Sequence, residues 1–130
     1  LGYKTKELPA FYTRKSGFEL DYAVDCPKEF AEILKTKWDL GLKGGVVIAN
    51  PIPEEFSMDH NVITEAIEKA VEESEKLGIK GKHATPFLLD KIQKITGGNS
   101  LKSNIELVFN NVKLATEIAK NLTELEKNDK

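Results

Sequence analysis

A run of apolar residues that ends abruptly in two prolines constrains this chain more than any other feature. Residues 44–53 read GGVVIANPIP, and the apolar stretch VVI does not alternate with polar residues. A strand without such alternation is typical of a parallel sheet that is covered on both faces. We therefore predict that the run forms a buried strand inside an α/β sheet.

The residues that follow this predicted strand are candidates for the wall of a pocket. In open α/β sheets ligands bind beyond the carboxyl ends of the strands, and Asn50 lies at such an end. Pro51 and Pro53 each fix one φ angle and remove one N–H donor, which can hold Asn50 in a single orientation. A rigid connection between strand and helix explains the same residues equally well. Asn50 is therefore one candidate for ligand contact.

The chain before this run predicts short strands and one helix. Residues 1–25 carry scattered aromatic residues between proline and glycine turns, which is typical of short strands. Apolar residues then recur at helical spacing until Gly41, and Asp25 can cap the start of this helix.

Three further helices are predicted after Pro53. Their limits follow from capping residues and from glycines that stop a helix. The first is capped by Asp59 or Asn61 and ends at Gly78. The second begins at Thr85 and Pro86 and ends at Gly97. The third is capped by Ser100 and runs to about Lys127, before a frayed tail.

Charge and composition exclude several classes of protein. The chain has 19 lysines and arginines and 21 aspartates and glutamates, so the charges nearly balance and no basic surface is expected to attract nucleic acid. No apolar segment approaches the roughly 20 residues of a membrane span, and the start of the chain lacks the pattern of a signal peptide. The single cysteine, Cys26, cannot form an internal disulfide. We expect one domain over residues 1–130, in the cytoplasm, with neither nucleic acid nor membrane as partner.

Two asparagines interrupt the apolar side of the last predicted helix. Rotation by about 100° per residue places Asn104 and Asn111 about 20° apart inside a wide apolar arc, whereas Asn110 points away from it. A buried amide without partners costs about 1–3 kcal/mol, so each amide needs the backbone, water or a ligand. A neighbouring loop can satisfy these groups, and a carboxamide can equally bind an amide-like edge such as a nucleobase. The spacing leaves both interpretations open.

No catalytic group stands out from the residues themselves. Glu54, Glu55 and His60 could serve a metal-dependent hydrolase, but acidic residues are favoured at a helix start by the helix dipole alone. The lysines lie among other polar residues, which is not where a desolvated, imine-forming amine is expected. We predict no catalytic and no metal-binding residue in this chain.

Short blocks of unusual sequence are spread over the whole chain. They are LPAFY at 8–12, SGF at 16–18, KW at 37–38, GG at 44–45, VIANPIP at 47–53, GK at 81–82, TPFLL at 85–89, TGG at 96–98 and SLKSNI at 100–105. In this order they resemble the pseudouridine-5′-phosphate glycosidase family, also called the indigoidine synthase A-like family.

This resemblance implies a three-layer α/β/α fold, a homotrimer, a divalent metal that is usually Mn²⁺, and reversible cleavage of pseudouridine 5′-phosphate to uracil and ribose 5-phosphate. In the family a lysine forms an imine with C1 of the sugar while a carboxylate handles protons. Family members are roughly twice as long as this one-domain chain, and those catalytic and metal-binding groups lie in their N-terminal half. The resemblance therefore implies that residues 1–130 are the C-terminal half, inactive alone, with the Mn²⁺ ligands outside this chain.

The resemblance also assigns a role to one residue. Asn104 matches the asparagine of the family's Ser-Asn-Ile motif, which contacts the substrate. We expect Asn104 to contact the substrate, with Asn111 as its partner and Asn50 as a further candidate. The alternative is a non-catalytic helical module for binding or assembly, because the chain has no evident nucleophile.

Overall fold

The computed structural model describes residues 1–128, and helices dominate this part of the chain. The expected frayed tail at residues 129–130 lies outside the described residues. The elements are β1 (Gly2–Tyr3), β2 (Ala23–Val24), α1 (Pro27–Asp39), α2 (His60–Lys76), α3 (Ala84–Ile95) and α4 (Asn99–Asn128), with 3-10 turns at Glu54–Phe56 and Gly81–His83. The predicted order of short strands, one helix and three later helices is confirmed.

A small parallel sheet is centred on β1. On one edge β1 pairs with β2, with Tyr3 opposite Val24. On the other edge the Tyr3 N–H donates to the carbonyl of Ala49 at 2.8 Å, and the Ala49 N–H donates to the carbonyl of Leu1 at 2.8 Å. The structure is thus mostly helical with a small parallel sheet, and the three-layer arrangement stays a prediction.

The prediction of a buried strand in residues 44–49 is wrong for this chain. Within that run Ala49 alone forms a bridge to β1, and the side chain of Val47 is 81% exposed. Ile48, by contrast, packs against the core between α1 and α4. The run is therefore covered only on the face where Ile48 packs, and the face of Val47 stays exposed.

The helices pack in two pairs around two apolar clusters. The first cluster joins β2, α1 and α4 through Val24, Phe30, Leu114 and Ile118. The second joins Tyr12 to α2 and α3. Helix α4 contacts both α1 and α3, so it links the two clusters.

Helix starts differ from the predictions by one or two residues. Asp59 caps α2 as predicted, with its carboxylate accepting from two backbone N–H groups. Asp25 does not cap α1, because Cys26 occupies the capping position directly before Pro27. Thr85 lies inside α3, which begins at Ala84. Ser100 likewise lies inside α4, because two backbone N–H groups of the first turn already bond to the carbonyl of Gly98.

Helix α4 has two apolar faces, and only one of them is covered. The buried face carries Ser100, Ser103, Leu107, Leu114 and Ile118. The other face, which we call the open stripe, consists of five exposed side chains: Leu101, Ile105, Val108, Phe109 and Val112. The apolar arc predicted from rotation is therefore half buried and half open. Within residues 1–128, neither α4 nor any other helix is long and apolar enough to cross a membrane.

Candidate functional site

Three amides next to the proline segment form one hydrogen-bonded cluster. The Asn50 amide Nδ2 donates to Asn111 Oδ1 at 3.0 Å. The Asn110 amide Nδ2 donates to the carbonyl of Pro51 at 2.9 Å and, at 3.3 Å, to Asn50 Oδ1. The hydrogen-bonding partners of these amides lie within the chain. The cluster therefore agrees with the interpretation in which a neighbouring loop satisfies the asparagine side chains.

The proline segment is anchored as well as stiff. Pro51 and Ile52 are buried, and both of their carbonyl groups are engaged. Asn110 binds the first carbonyl, and Arg14 Nη1 donates to the carbonyl of Ile52 at 2.6 Å. The segment therefore acts as a fixed connection between the sheet and α2.

Asn104 lies in a different cleft, next to α3. This cleft of about 200 Å³ is lined by Tyr12, Leu89, Asp90, Gln93, Ser100, Leu101 and Asn104. The half-buried Asn104 side chain makes no hydrogen bond to any residue of the described part of the chain. Ser100 is 1% exposed, and its Oγ also lacks a partner of hydrogen-bonding geometry. Two polar groups without partners thus line the same cleft.

Tyr12 forms the floor of this cleft. It is 5% exposed, and it follows Phe11, whose φ of 69° lies in the left-handed region. Burial raises the pKa of the Tyr12 phenol, and the adjacent Ser100 hydroxyl acts weakly in the opposite direction. The phenol therefore stays protonated at neutral pH.

The polar surface of the cleft is almost free of net charge. Its one carboxylate, Asp90 Oδ2, is paired with Lys94 Nζ at 2.7 Å. The remaining polar groups are hydroxyls and amides, which can donate or accept hydrogen bonds. Such a surface suits a neutral polar ligand edge.

The structure separates the three asparagines that the sequence singled out. Asn50 and Asn111 meet in the amide cluster, whereas no hydrogen bond within residues 1–128 joins Asn111 to Asn104. Asn111 is also exposed, although its position in the apolar arc predicted burial. The role of Asn111 as a partner of Asn104 stays a prediction.

Sequence reasoning missed three residues that matter here. Asn110 was placed away from the apolar arc, yet it holds the proline segment. Tyr12 lies within the LPAFY block, which signalled the family but no specific role. The sequence predicts Ser100 as a helix cap, although its spacing of four residues from Asn104 places both on one side of α4.

Metal ligands are not gathered by the described residues. Within residues 1–128, no group of three or more histidine, cysteine, aspartate or glutamate side chains could hold a metal ion. Glu54, Glu55 and His60 therefore do not form the centre that a metal-dependent hydrolase needs. Residues 1–128 thus do not by themselves fit a complete Mn²⁺ site.

Comparison with protein-family models gives a match to "Indigoidine synthase A like protein" over residues 1–121. The chain belongs to this family. Two similar curated relatives are both named pseudouridine-5′-phosphate glycosidase. The relative from Clostridium botulinum is 61% identical over 127 residues, which are 98% of this chain and 41% of the relative. The relative from Alkaliphilus metalliredigens is 61% identical over 119 residues, which are 92% of this chain and 39% of the relative.

This family member spans about two fifths of the length of those relatives and matches their C-terminal portion. The crystal structure of an indigoidine synthase A-like protein from Thermotoga maritima aligns with a TM-score of 0.78 and 37% identity, over 91% of this chain and 38% of that one. A prealnumycin C-glycosynthase in complex with ribulose 5-phosphate aligns with a TM-score of 0.85 over 98% of this chain and 42% of that one. At 24% identity the latter shows the fold alone. The family resemblance is confirmed.

Proposed function

We propose that this chain supplies one wall of the substrate pocket in a pseudouridine-5′-phosphate glycosidase. The reaction is the reversible cleavage of the carbon–carbon glycosidic bond of pseudouridine 5′-phosphate to uracil and ribose 5-phosphate. One observation carries the proposal: the Asn104 carboxamide has no partner in the described part of the chain and lines a cleft. The names of the curated relatives support the choice of reaction.

The chemistry of the cleft matches the base better than the phosphate of this substrate. A carboxamide places a donor beside an acceptor, and so does the N–H and C=O edge of uracil. Because the cleft is partly desolvated, an edge that fails to pair with Asn104 leaves polar groups unsatisfied. Ser100 and the protonated Tyr12 phenol add hydroxyl groups beside that amide. The cleft therefore selects for a neutral, hydrogen-bonding base.

The reacting groups themselves belong elsewhere in this proposal. The lysine that forms the imine, the carboxylate that moves protons and the ligands of Mn²⁺ lie in the N-terminal portion of the family fold. Together the two portions form the three-layer fold, assemble as a homotrimer and act in the cytoplasm. This chain orients the base while the other portion carries the covalent chemistry, so the chain alone is inactive.

The test is turnover by a chimera in which this chain follows the N-terminal portion of the Clostridium botulinum relative. Uracil release from pseudouridine 5′-phosphate is measured with Mn²⁺ present. We expect Asn104→Ala to lower kcat/KM by about ten- to a hundredfold, the range for one or two lost hydrogen bonds in a desolvated cleft. The matched control is Asn121→Ala, which removes an amide from the same helix, where it bonds only to the backbone of Glu117.

Two results contradict the proposal. One is unchanged turnover in a folded Asn104→Ala chimera. The other is full turnover by this chain without the N-terminal portion. Asn50→Ala and Asn111→Ala in the same assay show whether the amide cluster contributes to the pocket beyond its effect on the proline segment.

The second candidate is a non-catalytic module for binding or assembly, and the open stripe on α4 favours it. A chimera that folds and binds uracil or pseudouridine 5′-phosphate without cleaving it supports this alternative. Turnover that depends on Asn104 contradicts it.

A further inference from the structure

The open stripe on α4 is an exposed apolar surface, and no other part of residues 1–128 packs over it. Its members are Leu101, Ile105, Val108, Phe109 and Val112, with exposures from 42% to 63%. Each of them has another stripe residue three or four positions away, so they form one continuous band. Single exposed apolar residues are ordinary, but a continuous band marks an interaction surface.

The position of Asn104 shows from which side a partner approaches. On one side of Asn104, Leu107 is buried and the Ser103 hydroxyl donates to the carbonyl of Phe56 at 2.8 Å. On the other side lies the open stripe, and Leu101 of the stripe lines the same cleft as Asn104. The stripe is therefore the open side of α4 next to Asn104, and groups that react with a substrate held there can approach across it.

A second open surface lies at the sheet. Val46, Val47 and Ile48 donate no backbone hydrogen bond to any residue in 1–128, and Val47 is 81% exposed. The Val47 carbonyl accepts from the Leu1 amino group at 3.1 Å, but an apolar edge with free N–H groups is a ready position for one more strand. The chain thus offers both a helix face and a sheet edge for the same kind of partner.

We infer that the open stripe is the docking surface for the N-terminal portion of the family fold, the part that this chain does not span. The inference rests on the proposed function, because that portion has to bring its reacting groups to Asn104. The size of that portion supports the inference. This chain covers 41% of the Clostridium botulinum relative, so 59% of the relative lies outside the matched region. A second copy of this chain is the competing occupant.

Photo-crosslinking in the chimera identifies the occupant. Benzoylphenylalanine is placed at position 112 in one sample and at position 113 in a matched sample. Val112 belongs to the stripe, and the exposed Lys113 points about 100° away from Val112 and about 40° beyond Phe109 at the edge of the stripe. After irradiation, the mass of the product and the cross-linked peptide are determined.

With the cross-linker at position 112, we expect a product of one-chain mass in which position 112 is joined to a peptide of the N-terminal portion. We expect this product to be absent from the sample with the cross-linker at position 113. A product of two-chain mass that joins position 112 to a second copy overturns the inference, and so does the absence of any cross-link at 112. Uracil release by the same samples separates the two proposals. A cross-link to the N-terminal portion without turnover contradicts only the proposed function, and turnover with a cross-link to a second copy contradicts only the docking.

Discussion

The two asparagine sites of α4 differ in a way that their sequence positions do not show. Asn111 and Asn104 lie two turns apart on the same helix, at nearly the same angle. Asn111 meets Asn50 beside the anchored proline segment, whereas the Asn104 amide finds no partner among residues 1–128. An amide whose partners are present contributes to the fold, and an amide whose partners are absent is available to a ligand.

The largest difference in stability is expected between Asn110→Ala and Asn104→Ala. The first variant leaves the buried carbonyl of Pro51 without its donor, so we expect the free energy of unfolding to fall by about 1–3 kcal/mol. The second removes an amide without partners, so its change stays within about 0.5 kcal/mol. Urea denaturation of this chain measures both. Equal losses in the two variants break the distinction between a structural and an available amide.

Two serines of α4 sharpen the same comparison with a smaller effect. The Ser103 hydroxyl bonds to the carbonyl of Phe56, so Ser103→Ala should cost about 1 kcal/mol. The Ser100 hydroxyl is also buried but has no such partner, so Ser100→Ala should be neutral or stabilising. Denaturation midpoints of the two variants give the answer. A large loss in Ser100→Ala shows that its hydroxyl is satisfied within the chain.

The smallest effect concerns the pH dependence of stability beneath Asn104. Burial raises the pKa of Tyr12, so the fold favours the neutral phenol. This contribution is fully present below the pKa of an unfolded tyrosine, about 10, and is lost as the pH rises through the higher folded value. Tyr12→Phe should therefore flatten the fall of the unfolding free energy above pH 10.

Denaturation series between pH 8 and about 11 test this expectation. The matched control is Tyr22→Phe, which removes a phenol that is 54% exposed. If the two variants show the same pH profile, the cleft floor does not hold Tyr12 in its neutral form.

The helices could be predicted from the sequence because their signals are local. Apolar residues at helical spacing and the glycines at 78 and 97, both with positive φ, define where the helices run. Exact starts were less accessible, since Cys26 occupies the capping position of α1 without a side-chain cap bond and α4 begins at Asn99, before the predicted cap Ser100. Local sequence signals therefore predict that a helix forms, but they do not determine its first residue.

Burial could not be predicted in the same way, because it depends on what packs against an element. The apolar run at 44–49 suggested cover on both faces, yet Val47 is exposed while Ile48 is packed. The rotation argument places Asn110 away from the apolar arc. It does not show that the proline segment packs there and accepts a hydrogen bond from the Asn110 amide. The Asn104 cleft joins Tyr12 to residues of α3 and α4 much later in the chain, and no spacing rule connects them.

The double anchorage of the proline segment has a consequence for ligand exchange. Asn110 and Arg14 hold two successive carbonyl groups from opposite ends of the sequence. Swinging this segment outward would break both bonds at once and expose Ile52, which is 1% exposed. Residues 50–53 should therefore keep their position while a ligand binds or leaves the proposed pocket, and any segment that moves during ligand exchange should lie elsewhere.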